Sequence, residues 1–306
     1  MNELPLDALL YDESKNAVTK STLYLVATPI GNLSDISFRA VKILASVDFI
    51  AAEDTRNSAK LLHVIGIKKP LISYHEHNKR MRGEEIVARL SAGESCALVT
   101  DAGMPAISDP GEDLVRLCAE RGISVTCVPG ASAAVSALAL SACDSRRFVF
   151  EGFLPVQAAD RKQRLLAIKD ERRTIILYEA PHKLRRTLDD LEKTFGGTRR
   201  ISLCRELTKK NEEITRTTLL DAVTLYTEQE PRGEYVLILE GADEAGVSPS
   251  LSENEGSCIS FDTCAAHVAH YEAMGLAHMD AIKRAAKDKG MSKSDFYRLL
   301  CEENQD

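Results

Sequence analysis

No stretch of this 306-residue chain approaches the roughly 20 consecutive apolar residues that a membrane-spanning helix needs. Its first twenty residues, MNELPLDALLYDESKNAVTK, lack the basic-then-apolar order of a secretory signal and read as a short flexible leader. Metal-ligand spacing is missing as well. The eight cysteines (Cys96, Cys118, Cys127, Cys143, Cys204, Cys258, Cys264 and Cys301) contain no CxxC pair, and none has a histidine at zinc spacing. Most fall inside apolar runs such as ESCALVT and SVTCVPG. The expectation is reduced core thiols in a cytoplasmic protein, with no metal and no disulfide framework.

Excess charge of one sign is also modest. The net charge is −7, which weighs against a polyanion partner, but its distribution points the other way. Residues 160–210 hold 15 Lys/Arg against 8 Asp/Glu, so the rest of the chain is strongly acidic. A basic segment of this kind is either a nucleic-acid patch or a pair of solvated helices, and composition alone leaves both open.

What is present from Leu23 onward is alternation. Short β-prone runs, LYLVAT (23–28), DFIAAE (48–53), PLISY (70–74), CALVT (96–100) and SVTCV (124–128), are separated by segments with apolar residues three and four apart. Strands joined by single helices predict a mostly parallel, doubly wound α/β sheet. A second set follows, FVFEGF (148–153), TIILYE (174–179), ISLCRE (201–206) and EYVLILEG (234–241), with DSRR at 144–147 as the hinge. Two α/β domains are therefore expected, at 21–145 and 146–241, the second smaller. The Gly/Ser/Glu-rich stretch 242–260 reads as a linker. Residues 261–306 carry three helical segments, with Gly290 closing the second and Ser292 or Ser294 capping the third.

In open α/β sheets, ligands sit beyond the carboxyl ends of the strands. Five unusual loops fall at such ends: TPIGN, EDTRNS, HEHN, DAGMPAISDPG and PGASA. None is a standard phosphate cradle. TPIGN matches neither GxGxxG nor GxxxxGK[ST], and Pro29 removes a backbone N–H that a phosphate would use. A rigid loop with two Gly and two Pro suits a ligand held through its main chain, such as an adenosine with an amino-acid group and no phosphates. Plain turn chemistry is the competing reading of each loop taken alone.

The ordered set LYLVATPIGNLSDIS, FIAAEDTRNSAKLL, YHEHN, LVTDAGMPAISDPG, VPGASA, ILYEAPHKL, CRELTKKNEE and PRGEYVLILEG resembles the tetrapyrrole-methylase superfamily, and within it the branch that methylates ribosomal RNA. The resemblance spans roughly residues 21–241, and the helical tail is similar to that branch's small C-terminal domain. It implies two α/β domains with S-adenosylmethionine in the cleft between them, and a homodimer. For this branch it implies 2′-O-methylation of a cytidine in the decoding region of 16S rRNA, with 16S rRNA or the small ribosomal subunit as partner. Carried to matching positions, the cofactor site would involve Pro29, Asp101, Ala102, Gly103, Ser132 and Ala133 from the first domain. Tyr178, Leu207 and Gly233 would come from the second. Rival readings are a same-fold methyltransferase acting on a tetrapyrrole or other small substrate, and a non-catalytic RNA-binding protein.

Methyl transfer to a hydroxyl is an in-line displacement that needs alignment and a proton acceptor, with no metal required. Glu53 and Asp54, at the end of the second strand, are candidates for that acceptor, with Arg56 on a neighbouring phosphate. Asp54 equally suits a helix cap. His75 is a further candidate base, and solvation is the simpler reading of His77. Glu179 is placed to hold a cofactor hydroxyl or amine. For RNA, Arg161, Lys162 and Arg164 after the FLP turn, and Lys183, Arg185 and Arg186 on the helix beyond Pro181, are expected to flank the entrance.

Overall fold

The first five apolar runs become strands β1 (Thr22–Val26), β2 (Phe49–Ala52), β3 (Leu71–Ser73), β4 (Cys96–Val99) and β5 (Ser124–Val128). All pair in parallel, in the order β3-β2-β4-β1-β5. Successive residues feed opposite faces. Leu23, Phe49, Ala51, Cys96 and Leu98 enter one core, while Tyr24, Ile50, Ala52, Ala97 and Val99 enter the other. Because helices cover both faces, the central strands show unbroken apolar runs without polar alternation.

Those helices are α1 (Phe38–Ser46), α2 (Thr55–Val64), α3 (Lys79–Ser91), α4 (Glu112–Glu120) and α5 (Ala133–Leu140). Their starts follow from short polar side chains. Ser37 Oγ accepts the Ala40 N–H at 3.0 Å to cap α1, and Asp54 accepts the Arg56 N–H at 2.8 Å to cap α2. In this computed structural model the described residues are 17–242, 263–273, 277–288 and 291–303. Most of the expected leader, nearly all of the linker, Gly290 and Cys258 lie outside them.

The second sheet contains β6 (Phe148–Phe153), β7 (Thr174–Glu179), β8 (Arg200–Arg205), β9 (Glu213–Thr218) and β10 (Tyr235–Leu239). Its order is β6-β7-β10-β8-β9. Only β6–β7 is parallel; β7–β10, β10–β8 and β8–β9 are antiparallel. This departs from an unbroken strand–helix alternation, because β8 returns directly as β9. The run EITRTT was not expected as a strand. It is an edge strand with no fully buried residue, so it lacks the apolar signature. Reversing β10 sets its first residue, Tyr235, beside both Glu179 at the end of β7 and Arg205 at the end of β8.

One face of this sheet is covered by α6 (Ala158–Ala167), α7 (Pro181–Phe195) and α8 (Leu219–Glu228), around Leu165, Leu184, Leu188, Ile175, Leu203 and Leu237. The other face is covered by α5, which precedes the whole sheet in the chain. Its Ala134, Ala137 and Leu138 pack on Ile176, Cys204, Val236 and Ile238. Small side chains allow this close approach, and Ser202 Oγ donates to the Ser141 carbonyl at 2.8 Å. The two sheets thus share a core, and Met1–Gly246 forms one compact unit.

The second unit, Val247–Asp306, contains α9 (Cys264–Ala273), α10 (His278–Asp288) and α11 (Lys293–Glu303). Val268, Ile282, Ala285, Phe296 and Leu300 build its core. The expected cap is in place: Ser292 Oγ accepts the Asp295 N–H at 3.2 Å. Of the cysteines whose side chains are described, Cys96, Cys118, Cys204 and Cys264 are buried and Cys143 is half-buried. Cys127, on the edge strand β5, is exposed, against the core reading. No described helix is long and apolar enough to cross a membrane.

Candidate active site

The carboxyl ends of β1, β2 and β4 meet the ends of β7 and β8 and the start of β10 across a cleft of about 450 Å³, the size of a small-cofactor pocket. The glycine turn after β1 bridges to the fourth loop: Thr28 N–H donates to the Gly103 carbonyl at 2.9 Å, and Gly103 N–H donates back to the Thr28 carbonyl at 3.1 Å. Gly103 holds φ at +88°, a left-handed conformation that β-carbon-bearing residues adopt at a cost. The same loop carries two non-glycine residues with positive φ, Ala106 (+68°) and Ser108 (+60°). Ser108 is seated against Gly152 of β6, where an added Cβ would lie 2.6 Å from its Oγ. Strain of this kind persists only where the surroundings over-determine the loop.

Ile30, Met104, Ile107, Phe153, Leu207 and Val236 supply the apolar wall. The polar part is acidic: Glu53, Asp101, Asp109, Glu179 and Glu234. No lysine or arginine is among the described residues that line the cleft. Such a lining rejects a phosphate-bearing cofactor and favours a cationic one, so the sulfonium and amino groups of S-adenosylmethionine fit it.

Each carboxylate has its own surroundings. Burial pushes the Glu53 carboxyl above its ordinary range. The negative charges of Asp101 and Asp54 add to that effect, and a hydrogen bond from the Asp101 backbone N–H and the nearby His75 oppose it. Asp101 accepts from Asn57 Nδ2 at 2.9 Å. Glu179 has both oxygens engaged, one by the Ala180 N–H at 2.9 Å and one by the Thr187 hydroxyl. Glu234 is paired with Lys209 at 2.9 Å. Asp109, half-buried, is pushed up to about 7 by burial first, then by the charges of Glu53 and Asp101.

Of the expected site residues, Asp101, Ala102, Gly103, Ser132, Ala133, Tyr178, Glu179, Leu207 and Glu53 all line the cleft. Tyr178 accepts the Ala134 N–H at 3.1 Å, fixing the start of α5 to the second sheet. Pro29 precedes the lining residue Ile30. Gly233 is a turn residue at φ +77°, with the Glu206 side chain 2.5 Å from where a Cβ would stand. His75 lies outside the lining, its Nε2 3.2 Å from Asn78 Nδ2. Asp109, Tyr235 and Phe153 were missed. Asp109 sits in SDPG, which reads as ordinary turn chemistry.

Asp54 resolves to the cap. Its carboxylate receives the Arg56 N–H and guanidinium, at 2.8 and 2.7 Å, and these hold it down at about 2. Asp54→Asn keeps a good cap and is therefore expected to leave methyl-transfer rates within about three-fold of wild type. A steady-state assay at neutral pH checks this, and a hundred-fold loss would return Asp54 to the chemistry.

The basic candidates divide. Arg161 is a correction: it is 5% exposed, beneath α7, with Nε 2.6 Å from Asp190 and a terminal nitrogen 2.7 Å from Thr187 Oγ1. Thr187 in turn donates to Glu179, so Arg161 braces the cleft wall and presents nothing to RNA. Arg161, Leu165 and Ile168 are the buried positions of this segment, and their i, i+4, i+7 spacing is the signal that was available. Arg185 is likewise tied down, donating to the Tyr226 and Gln229 carbonyls at 2.7 and 3.2 Å, and Arg164 pairs with Glu151. Lys162 and Arg186 are exposed, Lys183 is half-buried, and Arg56 is exposed while paired to Asp54.

The sequence model of the Tetrapyrrole (Corrin/Porphyrin) Methylases matches residues 22–223, and the chain belongs to this family of S-adenosylmethionine-dependent methyltransferases. It is 46% identical over 284 residues to ribosomal RNA small subunit methyltransferase I of Halalkalibacterium halodurans, covering 93% of this chain and 96% of that one. To the protein of the same name in Bacillus subtilis it is 45% identical over 275 residues, with 90% and 92% covered. Among solved structures, uroporphyrin-III-C-methyltransferase from Thermus thermophilus shares the fold at TM-score 0.52 and 17% identity, covering 72% of this chain and 94% of that one. A diphthine synthase does so at 0.55 and 12%, covering 72% and 90%.

Proposed function

We propose that the protein methylates the 2′-hydroxyl of a cytidine ribose in the decoding region of 16S rRNA, acting in the cytoplasm as a homodimer. The observation that carries the reading is the acidic, cation-free cleft at the joined strand ends, in a chain whose near full-length relatives are named ribosomal RNA small subunit methyltransferase I. When bound, S-adenosylmethionine supplies a methyl group activated by a positively charged sulfur. The strained Asp101–Asp109 loop and the α5 N-terminus, with Ser132 and Ala133, fix one side of the cleft, while Tyr178, Leu207 and Val236 form the other. Alignment in such a site is worth about 7–11 kcal/mol of barrier. The apolar wall excludes water, and Glu53 lies at the edge where a ribose hydroxyl would enter.

The test incubates purified protein with labelled S-adenosylmethionine and unmethylated small subunits, followed by nucleoside mass spectrometry. Label on a cytidine ribose is expected; label on a base nitrogen, or none on RNA, sinks the reading. Exposed cations, not Arg161, carry the RNA contact. Lys162→Glu with Arg186→Glu is expected to weaken subunit binding and to flatten its log–log salt dependence by roughly 0.7–0.9 per lost phosphate contact. Binding titrations at several salt concentrations measure this, and an unchanged slope would remove both residues from the RNA surface.

A further inference from the structure

Regular alternation along β6 would turn Phe153 away from the cleft, because it lies three residues after Phe150 and successive strand residues face opposite ways. The strand instead carries one extra residue. Phe150 pairs with Ile176 and Gly152 with Leu177, so Glu151 is the bulge and Phe153 comes opposite Tyr178. Phe150 and Phe153 therefore share a face. Both rings stand at steep angles to Tyr178, 72° and 64°, with centroids 5.1 and 5.6 Å away. The bulge rests on Gly152 at φ +63°, a left-handed backbone that glycine adopts most freely, and on the close seat of Ser108. This re-aiming does not bury the ring. Phe153 is 57% exposed, whereas Leu207 and Val236 of the same lining are 6% exposed. Ile107, the neighbour of Ser108 across that contact, is 51% exposed. The cleft thus has a buried apolar wall and an open apolar rim.

From this bulge-directed, exposed ring we infer that Phe153 stacks on the base of the nucleotide being methylated and holds that base out of its RNA strand. The inference rests on RNA being the substrate. The charge of the cleft selects the base as the part that enters. Its lining holds five carboxylates and, among the described residues, no lysine or arginine, so phosphates are repelled and stay outside. An uncharged base with its ribose meets no such barrier. Unstacked bases in RNA are commonly received on aromatic side chains, and a rim aromatic offers such a platform. The Tyr178 contact already fixes the Phe153 ring, so stacking orders little that was free. A π face reads no hydrogen-bond pattern. Phe153 therefore supplies binding and orientation, and base identity is left to other groups.

Phe153→Leu keeps an apolar side chain and removes the π face, while Phe153→Tyr keeps that face. With unmethylated small subunits, Phe153→Leu is expected to lose about 10- to 100-fold in kcat/KM, mostly through KM. Phe153→Tyr should stay within about three-fold of wild type. Calorimetric affinity for S-adenosylmethionine should be unchanged in both variants. Their urea midpoints should also match wild type, since most of the ring is already in water. The chain has no tryptophan, so Phe153→Trp adds a lone fluorescent reporter. Its emission should be quenched as unmethylated 16S rRNA is titrated onto the cofactor-loaded protein. Wild-type kinetics in Phe153→Leu, an equal loss in Phe153→Tyr, or bound RNA that leaves the tryptophan unquenched would overturn the inference. A fall in cofactor affinity as large as the fall in kcat/KM would give the ring to the cofactor and overturn it too. A wild type that places no label on RNA would instead overturn the substrate reading.

Discussion

Gly103→Val is expected to abolish measurable binding of S-adenosylmethionine. The residue sits at φ +88° and exchanges two hydrogen bonds with Thr28, so its backbone cannot relax without opening the floor of the cleft. A bare Cβ would already stand 3.4 Å from Ile30 Cγ2 and 3.8 Å from the Ala131 carbonyl. Valine's two further carbons would enter the cleft or Ile30, and a β-branched side chain is poorly tolerated at positive φ. Gly103→Ala isolates the backbone contribution, about 1–2 kcal/mol, from the steric one. It should bind the cofactor more weakly than wild type and more tightly than Gly103→Val. Calorimetry, with circular dichroism as the folding control, decides the matter. Wild-type affinity in a folded Gly103→Val would show that this loop does not hold the cofactor.

The second large effect is on stability. Removing the Arg161 side chain leaves Asp190 with only the 3.9 Å contact to Arg186 and takes the donor from Thr187, whose own hydroxyl is committed to Glu179. Breaking one partner from a buried ion pair costs about 3–5 kcal/mol. Asp190 is 30% exposed, so Arg161→Ala belongs at about 3 kcal/mol. Arg161→Glu should be worse, setting a negative charge between two carboxylates. Urea midpoints at pH 7 measure both. If Arg161→Ala unfolds at the wild-type midpoint, the brace between α6 and α7 is ornamental and the basic reading of Arg161 regains its force. The distinction matters for RNA work, since a charge reversal at Arg161 would mimic lost binding simply by loosening the Glu179 wall.

How much of this was readable from residues depended on whether neighbours in sequence are also neighbours in space. The first sheet was legible because β1, β2 and β4 are buried on both faces, so burial and sequence hydrophobicity coincide. Four of the five strand-end loops also fell at the cleft, and HEHN did not. The β8–β9 hairpin was not legible, since EITRTT is a solvated edge strand whose partner alone defines it. Arg161 and Lys162 are adjacent and chemically alike, and only the position of α7 decides which is buried. Asp109 was hidden differently. Its turn sequence is common, and its character comes first from burial in the cleft and then from Asp101 on the same loop and from Glu53, which is distant in the chain and reaches it through the parallel strand order.

The placement of α5 also bears on how the chain is made. Residues 133–140 leave the ribosome with their apolar face exposed, because the surface that covers it is built from Ile176, Cys204, Val236 and Ile238, synthesised later. At about 5–20 residues per second, the wait for the last of these strands is roughly 5–20 s. During that interval Ala134, Ala137 and Leu138 lack most of their covering surface, and a nascent chain halted near residue 145 would carry a ready surface for misassociation. Completion of β10 is thus the event that closes both the second sheet and the first half's exposed helix.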